Sequence, residues 1–179
     1  MGIDKASIEY DGVRLVERAH ARLSTVADPV LFAPGKTDRL GPLPGPQVAD
    51  AHPDGGPLGA VVGGLEASPH ELQAIVAVDM PWCNATLFQL LADLWAGEHA
   101  VVPVDDHGPQ VLHALFATSS LTTLRRALEG PRRGMRDVLG DLAVRYVDES
   151  GWRQADPSGR FAVNVNRPGD LRLLGGSPQ

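Results

Sequence analysis

Residues 72–81 read LQAIVAVDMP and decide the fold. A nearly unbroken apolar run of this length is typical of a β-strand that is covered on both faces, as in a parallel sheet. Asp79 ends the run, and Pro81 prevents a helix from starting at once. Asn84 can cap the helix that follows, which carries leucines at helical spacing. The stretch therefore predicts a buried strand, a loop and a helix, with a carboxylate where the strand ends.

The same order of elements recurs in the first third of the chain. Apolar residues at helical spacing predict a helix over 16–26, and the run VLFA predicts a short parallel strand, covered on both faces, over 30–33. The stretch 34–46 holds so many Pro and Gly that we expect a surface loop. Residues 47–49 can form a short strand, and Pro57 suits the first turn of another helix.

The second half continues the pattern. Residues 100–104 and 111–116 predict two strands, and the link between them is turn-rich and too short to hold a helix, so they could pair antiparallel. Residues 121–128 and 135–142 predict helices, and 143–147 a late strand. This alternation predicts an α/β fold with an open, mostly parallel sheet and helices on both faces. Ligands of such sheets bind beyond the carboxyl ends of the strands.

Length and composition bound the class of protein. A chain of 179 residues that is 43% hydrophobic suits one domain, which we place at 1–172, with a last short helix from Pro168 and a disordered tail over 173–179. A net charge of -6 argues against nucleic acid or an anionic membrane as a partner. The apolar runs are far shorter than the roughly 20 residues that span a bilayer, and no leader opens the sequence. We therefore expect a cytoplasmic protein, with its single cysteine, Cys83, as a buried thiol.

Asp79 is the most informative candidate for chemistry. A carboxylate where a buried strand emerges points into the crevice at the sheet edge and suits Mg²⁺, which takes one or two protein carboxylates and completes its shell with phosphate and water. The alternative is an aspartate that only caps the next turn. Lys5 lies just past the glycine at position 2 and could neutralise phosphate charge, although a lone lysine near a chain end is commonly just solvated.

Other candidates are weaker when taken alone. The segment Gly55–Gly59 could let a nucleotide approach the backbone at a helix start, or could be an ordinary turn. Asn164 and Asn166 lie on one face of an extended segment, where they could hold a ligand or a metal-bound water, or could serve as turn and cap residues before Pro168. His113, inside VLHALF, could be catalytic or an inert ring held by a hydrogen bond.

Three common catalytic motifs are missing from the sequence. It contains no G-x-S-x-G elbow, no G-x-x-x-x-G-K-[ST] loop and no H-E-x-x-H helix. Hydrolases of the first kind, Walker-type ATPases and zinc proteases therefore lose their main support. What remains is chemistry carried by Mg²⁺ and phosphate groups.

Segments along nearly the whole chain carry a family resemblance. In order they are MGIDK, DGGPLGAVVGGLEA, VDMPWCN, QVLHALF, EGPRRGMRDVL and FAVNVNRPGDL. Their order and spacing resemble the molybdenum cofactor guanylyltransferases. The resemblance implies a Rossmann-like sheet of the nucleotide-diphospho-sugar transferase type. It also implies Mg²⁺-dependent transfer of GMP from GTP to the molybdopterin-bound molybdenum cofactor, with release of pyrophosphate.

The resemblance also assigns roles to residues. Asp79 matches the magnesium-binding aspartate of the family and Lys5 its triphosphate-facing lysine, so these two are the implied catalytic pair. The implied nucleotide-binding set is Lys5, Asp50, Gly56, Pro57, Leu58 and Asp79. Further crevice candidates are His113, Asn164 and Asn166. The implied partners are GTP, the molybdopterin cofactor and, transiently, cofactor assembly proteins or molybdoenzymes.

The sequence departs from the family pattern L-x-G-G-x-S-x-R-M-G-x-D-K because its match starts at Met1. The Gly-Gly turn and the strand that leads into it are missing, so we expect a sheet without its first strand, from a start codon set too late or an incomplete chain. Ala33-Pro34 also stands where the family often has an asparagine near the nucleoside. Two alternatives stay open: a nucleotidyltransferase that uses CTP or another phosphate acceptor, and a non-catalytic paralogue that binds assembly partners.

Overall fold

A computed structural model describes residues 5–35, 41–52, 54–131, 134–165 and 170. Within these residues the strands are β1 (Glu9–Tyr10), β2 (Val13–Arg14), β3 (Leu72–Val76), β4 (Ala100–Asp105), β5 (Gly108–Pro109), β6 (His113–Ala117) and β7 (Val144–Val147). The helices are α1 (Leu15–Leu23), α2 (Gly56–Ala67), α3 (Ala85–Leu94), α4 (Leu121–Glu129), α5 (Met135–Val138) and α6 (Glu149–Trp152). Short 3-10 turns cover Lys5–Ser7, Thr118–Ser120, Leu139–Asp141 and Arg160–Ala162.

The main sheet has the strand order β3-β6-β4-β7, with β5 forming a short hairpin on β4. Strand β6 is antiparallel to both β3 and β4, and β7 is parallel to β4, so β3, β4 and β7 run in one direction. The antiparallel pairing of β4 and β6 confirms the sequence prediction. Because β6 lies between two strands of the opposite direction, antiparallel pairs outnumber parallel ones in the described sheet, whereas the sequence predicted a mostly parallel sheet. The short link between β4 and β6 causes this, since a parallel return needs a crossover of a dozen or more residues.

Helices pack on both faces of this sheet, as predicted. One core contains side chains of α2, α4 and α5 with Ala114 and Phe116 of β6. The opposite core contains side chains of α3 and α6 with Leu115 of β6. Successive side chains of a strand point to opposite faces, so a strand covered on both sides must be apolar at every position. All five residues of β6 are buried, which accounts for the run HALFA.

The predicted strand over 30–33 is wrong in its extent and in its burial. Here the structure has a single parallel bridge, between Phe32 and Gln47, and residues 30–33 are only half-buried. The Phe32 N–H donates to Pro46 O at 2.9 Å, and the Val48 N–H donates to Phe32 O at 2.7 Å. An apolar run becomes a buried strand only when a neighbour pairs along its length and other elements cover both of its faces, and here one bridge forms and residues 30–33 stay half-buried.

The predictions for the helices and for Cys83 are confirmed, and those for the carboxyl-terminal residues stay untested. The helices α1, α2, α3 and α4 lie where the sequence placed them, and the Asn84 side chain caps α3 by accepting from the Leu87 N–H at 3.2 Å. Cys83 is buried, and its burial raises the pKa of the thiol to about 11. The predicted helix from Pro168 and the tail 173–179 lie outside the described residues. In the described part of the chain, no helix is both long and apolar enough to cross a membrane.

Helix α2 packs unusually close to the preceding segment 49–52. The Ala51 N–H donates to Gly59 O at 3.0 Å, and a Cβ atom at position 63 would overlap the carbonyl oxygen of Ala49. Backbone cannot move aside as a flexible side chain can. The glycine at position 63 is therefore needed for α2 to approach this segment, and the segment carries Asp50.

Two neighbouring glycines in α2 should respond oppositely to alanine. Gly63→Ala should lower the free energy of unfolding by about 1–3 kcal/mol because the added methyl overlaps backbone. Gly64→Ala meets no atom within 4 Å and should raise it by about 0.5–1 kcal/mol, through the lower entropy of the unfolded chain. Urea unfolding of both variants measures the difference, and equal effects would contradict the close approach.

Candidate functional site

Lys5 and Asp79 form an ion pair at the carboxyl end of β3. The Lys5 ammonium donates to Asp79 Oδ2 at 2.7 Å, across 74 positions of sequence. Asp79 follows the strand and the turn that starts at Ala77, and the 3-10 turn Lys5–Ser7 is anchored by buried Ala6. The side chains are 41% and 16% exposed, so solvent and a ligand can reach the pair. The two residues that sequence reasoning ranked as the catalytic pair are thus in direct contact.

The segment that carries Asn164 and Asn166 contacts Asp79 through its backbone. The Val165 N–H donates to the backbone oxygen of Asp79 at 2.8 Å, and the Val165 side chain is fully buried with Ile8 and Leu15. Asn164, next to this anchor, is exposed. Asn166 lies outside the described residues. Three distant segments, around positions 5, 79 and 165, therefore meet at one point of the sheet edge.

The donor chemistry at this point fits a divalent cation shared with a phosphate ligand. Asp79 Oδ2 accepts from Lys5, and among the described residues Oδ1 has no hydrogen-bond partner. The described part of the chain contains no group of three or more His, Cys, Asp or Glu that could hold a metal by itself. Mg²⁺ commonly binds through one or two carboxylates and completes its shell with phosphate oxygens and water. Asp79 can supply such a carboxylate, whereas a closed metal site is not formed by these residues.

Asp50 lies on a separate segment, just beyond the bridge residue Gln47 and against α2. Its Oδ1 is buried without a hydrogen-bond partner among the described residues, and a Cβ atom on Gly35 would lie 3.7 Å from its Oδ2. Burial raises the pKa of this carboxyl group. A buried acceptor without a donor is costly, so this oxygen is suited to accept a hydrogen bond from a ligand.

The predicted loop Gly56, Pro57 and Leu58 forms the first turn of α2. Gly56 has a φ of +54°, a conformation that favours glycine, and Pro57 occupies the first turn, as proline commonly does. The Leu58 side chain is fully buried in the core and cannot contact a ligand. If this loop binds a nucleotide, only its backbone can make the contact. The loop lies at the amino-terminal end of α2, which carries partial positive charge.

The structure places His113 in the core and not in the crevice. Its ring is fully buried, stacks on Phe88 at 4.1 Å between ring centroids and meets the edge of Phe161 at 5.0 Å. Its Nε2 accepts from the Asn84 N–H at 3.0 Å, and burial lowers the pKa of the ring to about 4. His113 therefore holds the loop that joins Asp79 to α3, which is the inert alternative that the sequence left open.

Sequence reasoning missed a row of cations and aromatic rings beside the site. The Arg18 guanidinium lies 4.7 Å from the Tyr10 ring, Tyr10 contacts Trp82 edge to face at 6.0 Å, and the Arg160 guanidinium lies 4.4 Å from the Trp82 ring. Trp82 and Val78 both pack against the buried cluster of Ile8, Leu15 and Val165, and Val165 is the residue whose N–H bonds to Asp79. These partners come from distant segments, so no local pattern could have paired them.

Solved structures of other proteins share this mixed sheet with helices on both faces. Molybdopterin-guanine dinucleotide biosynthesis protein A from Archaeoglobus fulgidus superposes with a TM-score of 0.83, at 23% identity, over 96% of this chain and 89% of that one. The 2-C-methyl-D-erythritol 4-phosphate cytidylyltransferase from Thermus thermophilus superposes with a TM-score of 0.68, at 18% identity, over 94% and 91% of the two chains.

The family profile of the MobA-like NTP transferase domain matches residues 1–147, and the chain belongs to this family of nucleotidyltransferases. A probable molybdenum cofactor guanylyltransferase of Chloroflexus aggregans is 32% identical, over 97% of this chain and 86% of that protein. A protein of the same description from Methanosarcina acetivorans is 29% identical, over 98% and 84% of the two chains. The resemblance noted from the sequence is thereby confirmed.

Proposed function

We propose that the protein transfers GMP from GTP to the molybdopterin-bound molybdenum cofactor, with Mg²⁺, to form the guanine dinucleotide cofactor and pyrophosphate. The observation that carries the proposal is the Lys5–Asp79 pair at the end of β3, with the segment of Asn164 anchored on Asp79. Relatives along nearly the whole chain bear the name of this activity. In the reaction a phosphate oxygen of the acceptor bonds to the α-phosphorus of GTP, the bond from that phosphorus to the bridging oxygen breaks, and pyrophosphate leaves.

The reaction depends mainly on alignment and on offsetting charge. An acceptor oxygen must lie in line with the α-phosphorus, and the negative charge of the triphosphate must be balanced. Mg²⁺, when bound, supplies positive charge that neutralises the phosphates and polarises the α-phosphoryl group. Asp79 would hold it through the oxygen that Lys5 does not use, and Lys5 fixes the orientation of this carboxylate.

Other residues of the chain would place the two substrates. The half-exposed Lys5 ammonium has three donors, so it can keep its contact with Asp79 and still offset the charge of the triphosphate. The buried acceptor on Asp50 and the backbone at the start of α2 would bind the nucleoside and a phosphate. Asn164, exposed beside the pair, can donate and accept at the crevice where the acceptor would enter.

Comparison of GTP with CTP tests the proposal directly. With Mg²⁺ and the molybdopterin cofactor, we expect pyrophosphate release at least about tenfold faster from GTP than from CTP, because polar contacts to the base discriminate strongly when unpaired groups are left behind. Removing Mg²⁺ with a chelator should stop release, and leaving out the acceptor is the matched blank. A preference for CTP would overturn the choice of base, since cytidylyltransferases share this fold. No release from either nucleotide, together with no GTP binding, would favour the non-catalytic alternative.

A further inference from the structure

The Arg160 guanidinium lies over the Trp82 indole, 4.4 Å from the ring centroid, and both residues are partly exposed. A cation over an aromatic ring is attracted by it, and the contact neither supplies a counter-charge nor uses a hydrogen-bond acceptor. The indole itself is fixed, because it meets the Tyr10 ring edge to face and packs against the buried cluster that contains Val165. This platform therefore holds a cation in place without being its counter-charge.

Two paths connect this cation to the Lys5–Asp79 pair. Trp82 follows Asp79 by three positions, and at about 3.8 Å for each step their Cα atoms are no more than about 11 Å apart. The second path is the segment 160–165, because the Val165 N–H donates to Asp79 O at 2.8 Å. The two paths place Arg160 at the same end of β3 as the pair.

The Trp82 side of the crevice differs from the side of Asp50. Val78, which precedes the proposed metal-binding aspartate, packs against two buried clusters. Trp82 packs against the first of these clusters and Phe32 against the second. Phe32 bridges to the segment that carries Asp50, the proposed contact to the nucleoside. Arg160 therefore lies on the side that is left for the second substrate, the acceptor.

We propose that Arg160 binds the phosphate group of the molybdopterin acceptor and that Trp82 positions it, a role that rests on the function proposed above. Transfer brings two anions together, the acceptor phosphate and the triphosphate, and their repulsion opposes the approach. Lys5 offsets charge on the triphosphate, and the Arg160 guanidinium offsets charge on the acceptor. Its planar fork matches two phosphate oxygens, which leaves a third to bond to the α-phosphorus. Arg160 neither gives nor takes a proton, since a guanidinium stays charged.

Binding measurements on Arg160→Gln test this role without turnover. The affinities for molybdopterin and for GTP are measured separately by equilibrium dialysis, the first also with a GTP analogue that cannot transfer GMP. We expect molybdopterin to bind at least about tenfold more weakly than to the parent protein, the loss that follows removal of one charge-assisted hydrogen bond, and GTP to bind within about twofold of the parent affinity. Weaker GTP binding with unchanged molybdopterin binding would assign Arg160 to the triphosphate and overturn the proposal.

The matched control is Arg153→Gln, at a second arginine that lies over an indole. The Arg153 guanidinium is 5.5 Å from the centroid of the Trp152 ring, and it donates to Pro157 O at 3.0 Å and to the Glu149 carboxylate. Because its donors serve the fold, this variant should bind both ligands with the parent affinities.

Two further variants separate binding from folding. Arg160→Lys keeps the charge and the stem but loses the planar fork, so its molybdopterin affinity should lie between those of Arg160→Gln and the parent protein. Trp82→Leu should also weaken molybdopterin binding, because Arg160 then loses its platform. Parental affinity in both Arg160 variants would overturn the proposal, as would a parent protein that does not bind molybdopterin. Molybdopterin binding that depends on Arg160, without pyrophosphate release from GTP, would support this role of Arg160 and contradict only the proposed transfer.

Discussion

Asp79→Asn should reduce the rate of GMP transfer by at least about 100-fold, the loss that commonly follows removal of one group that stabilises charge in a transition state. The amide keeps the size of the carboxylate and loses its negative charge. It would then neither attract Mg²⁺ nor pair with the Lys5 ammonium, which now lies 2.7 Å away. The measurement is pyrophosphate release at saturating GTP, repeated over a range of Mg²⁺ concentrations.

The matched control for this change is Asp106→Asn, which alters an exposed aspartate in the turn after β4. It should leave transfer unchanged. A partly exposed ion pair contributes about 1 kcal/mol or less, so the free energy of unfolding of the Asp79 variant should stay within that margin of the parent protein. If Asp79→Asn retained the parental rate, Asp79 would have to be removed from the proposed site.

His113→Ala should lower the free energy of unfolding by about 3–5 kcal/mol, in the range of large aromatic truncations in cores. The ring is fully buried between Phe88 and Phe161, and its loss would leave the Asn84 N–H without its acceptor. Urea unfolding measures the loss. His113→Gln offers an amide oxygen in place of Nε2 and should be milder, and equal losses from both variants would mean that the hydrogen bond to Asn84 contributes little.

The same residue should make stability depend on pH. Burial lowers the pKa of His113 to about 4, below the value of about 6.5 for an unfolded histidine, so the unfolded chain binds this proton first. Its contribution is complete above about pH 6.5 and is lost as the pH falls toward 4. The unfolding free energy of His113→Gln should accordingly fall less over this window, whereas His107→Gln, at an exposed histidine, should follow the parent protein. Parallel pH curves for all three proteins would contradict the role of burial.

Local sequence was sufficient wherever an element depends on its own residues. Helix α3 follows from Asn84 and a row of leucines, and β4 and β6 pair as expected because the link between them permits only an antiparallel return. The prediction of a strand over 30–33 failed because strand formation depends on neighbouring segments and not only on the residues of the strand itself. A strand forms where a neighbouring segment pairs along its length, and the run VLFA carries no information about whether such a neighbour is present.

The candidate site likewise has features that the sequence predicted and features that only the tertiary structure shows. The sequence by itself, through the order of its motifs, determined the family and drew attention to Lys5, Asp79 and the segment of Asn164. Only the tertiary structure decided that these three meet at the end of β3 and that the ring of His113 supports the neighbouring loop from within the core. The reason is physical: periodicity, caps and turns act over a few residues, whereas burial and strand pairing depend on what distant segments place beside them.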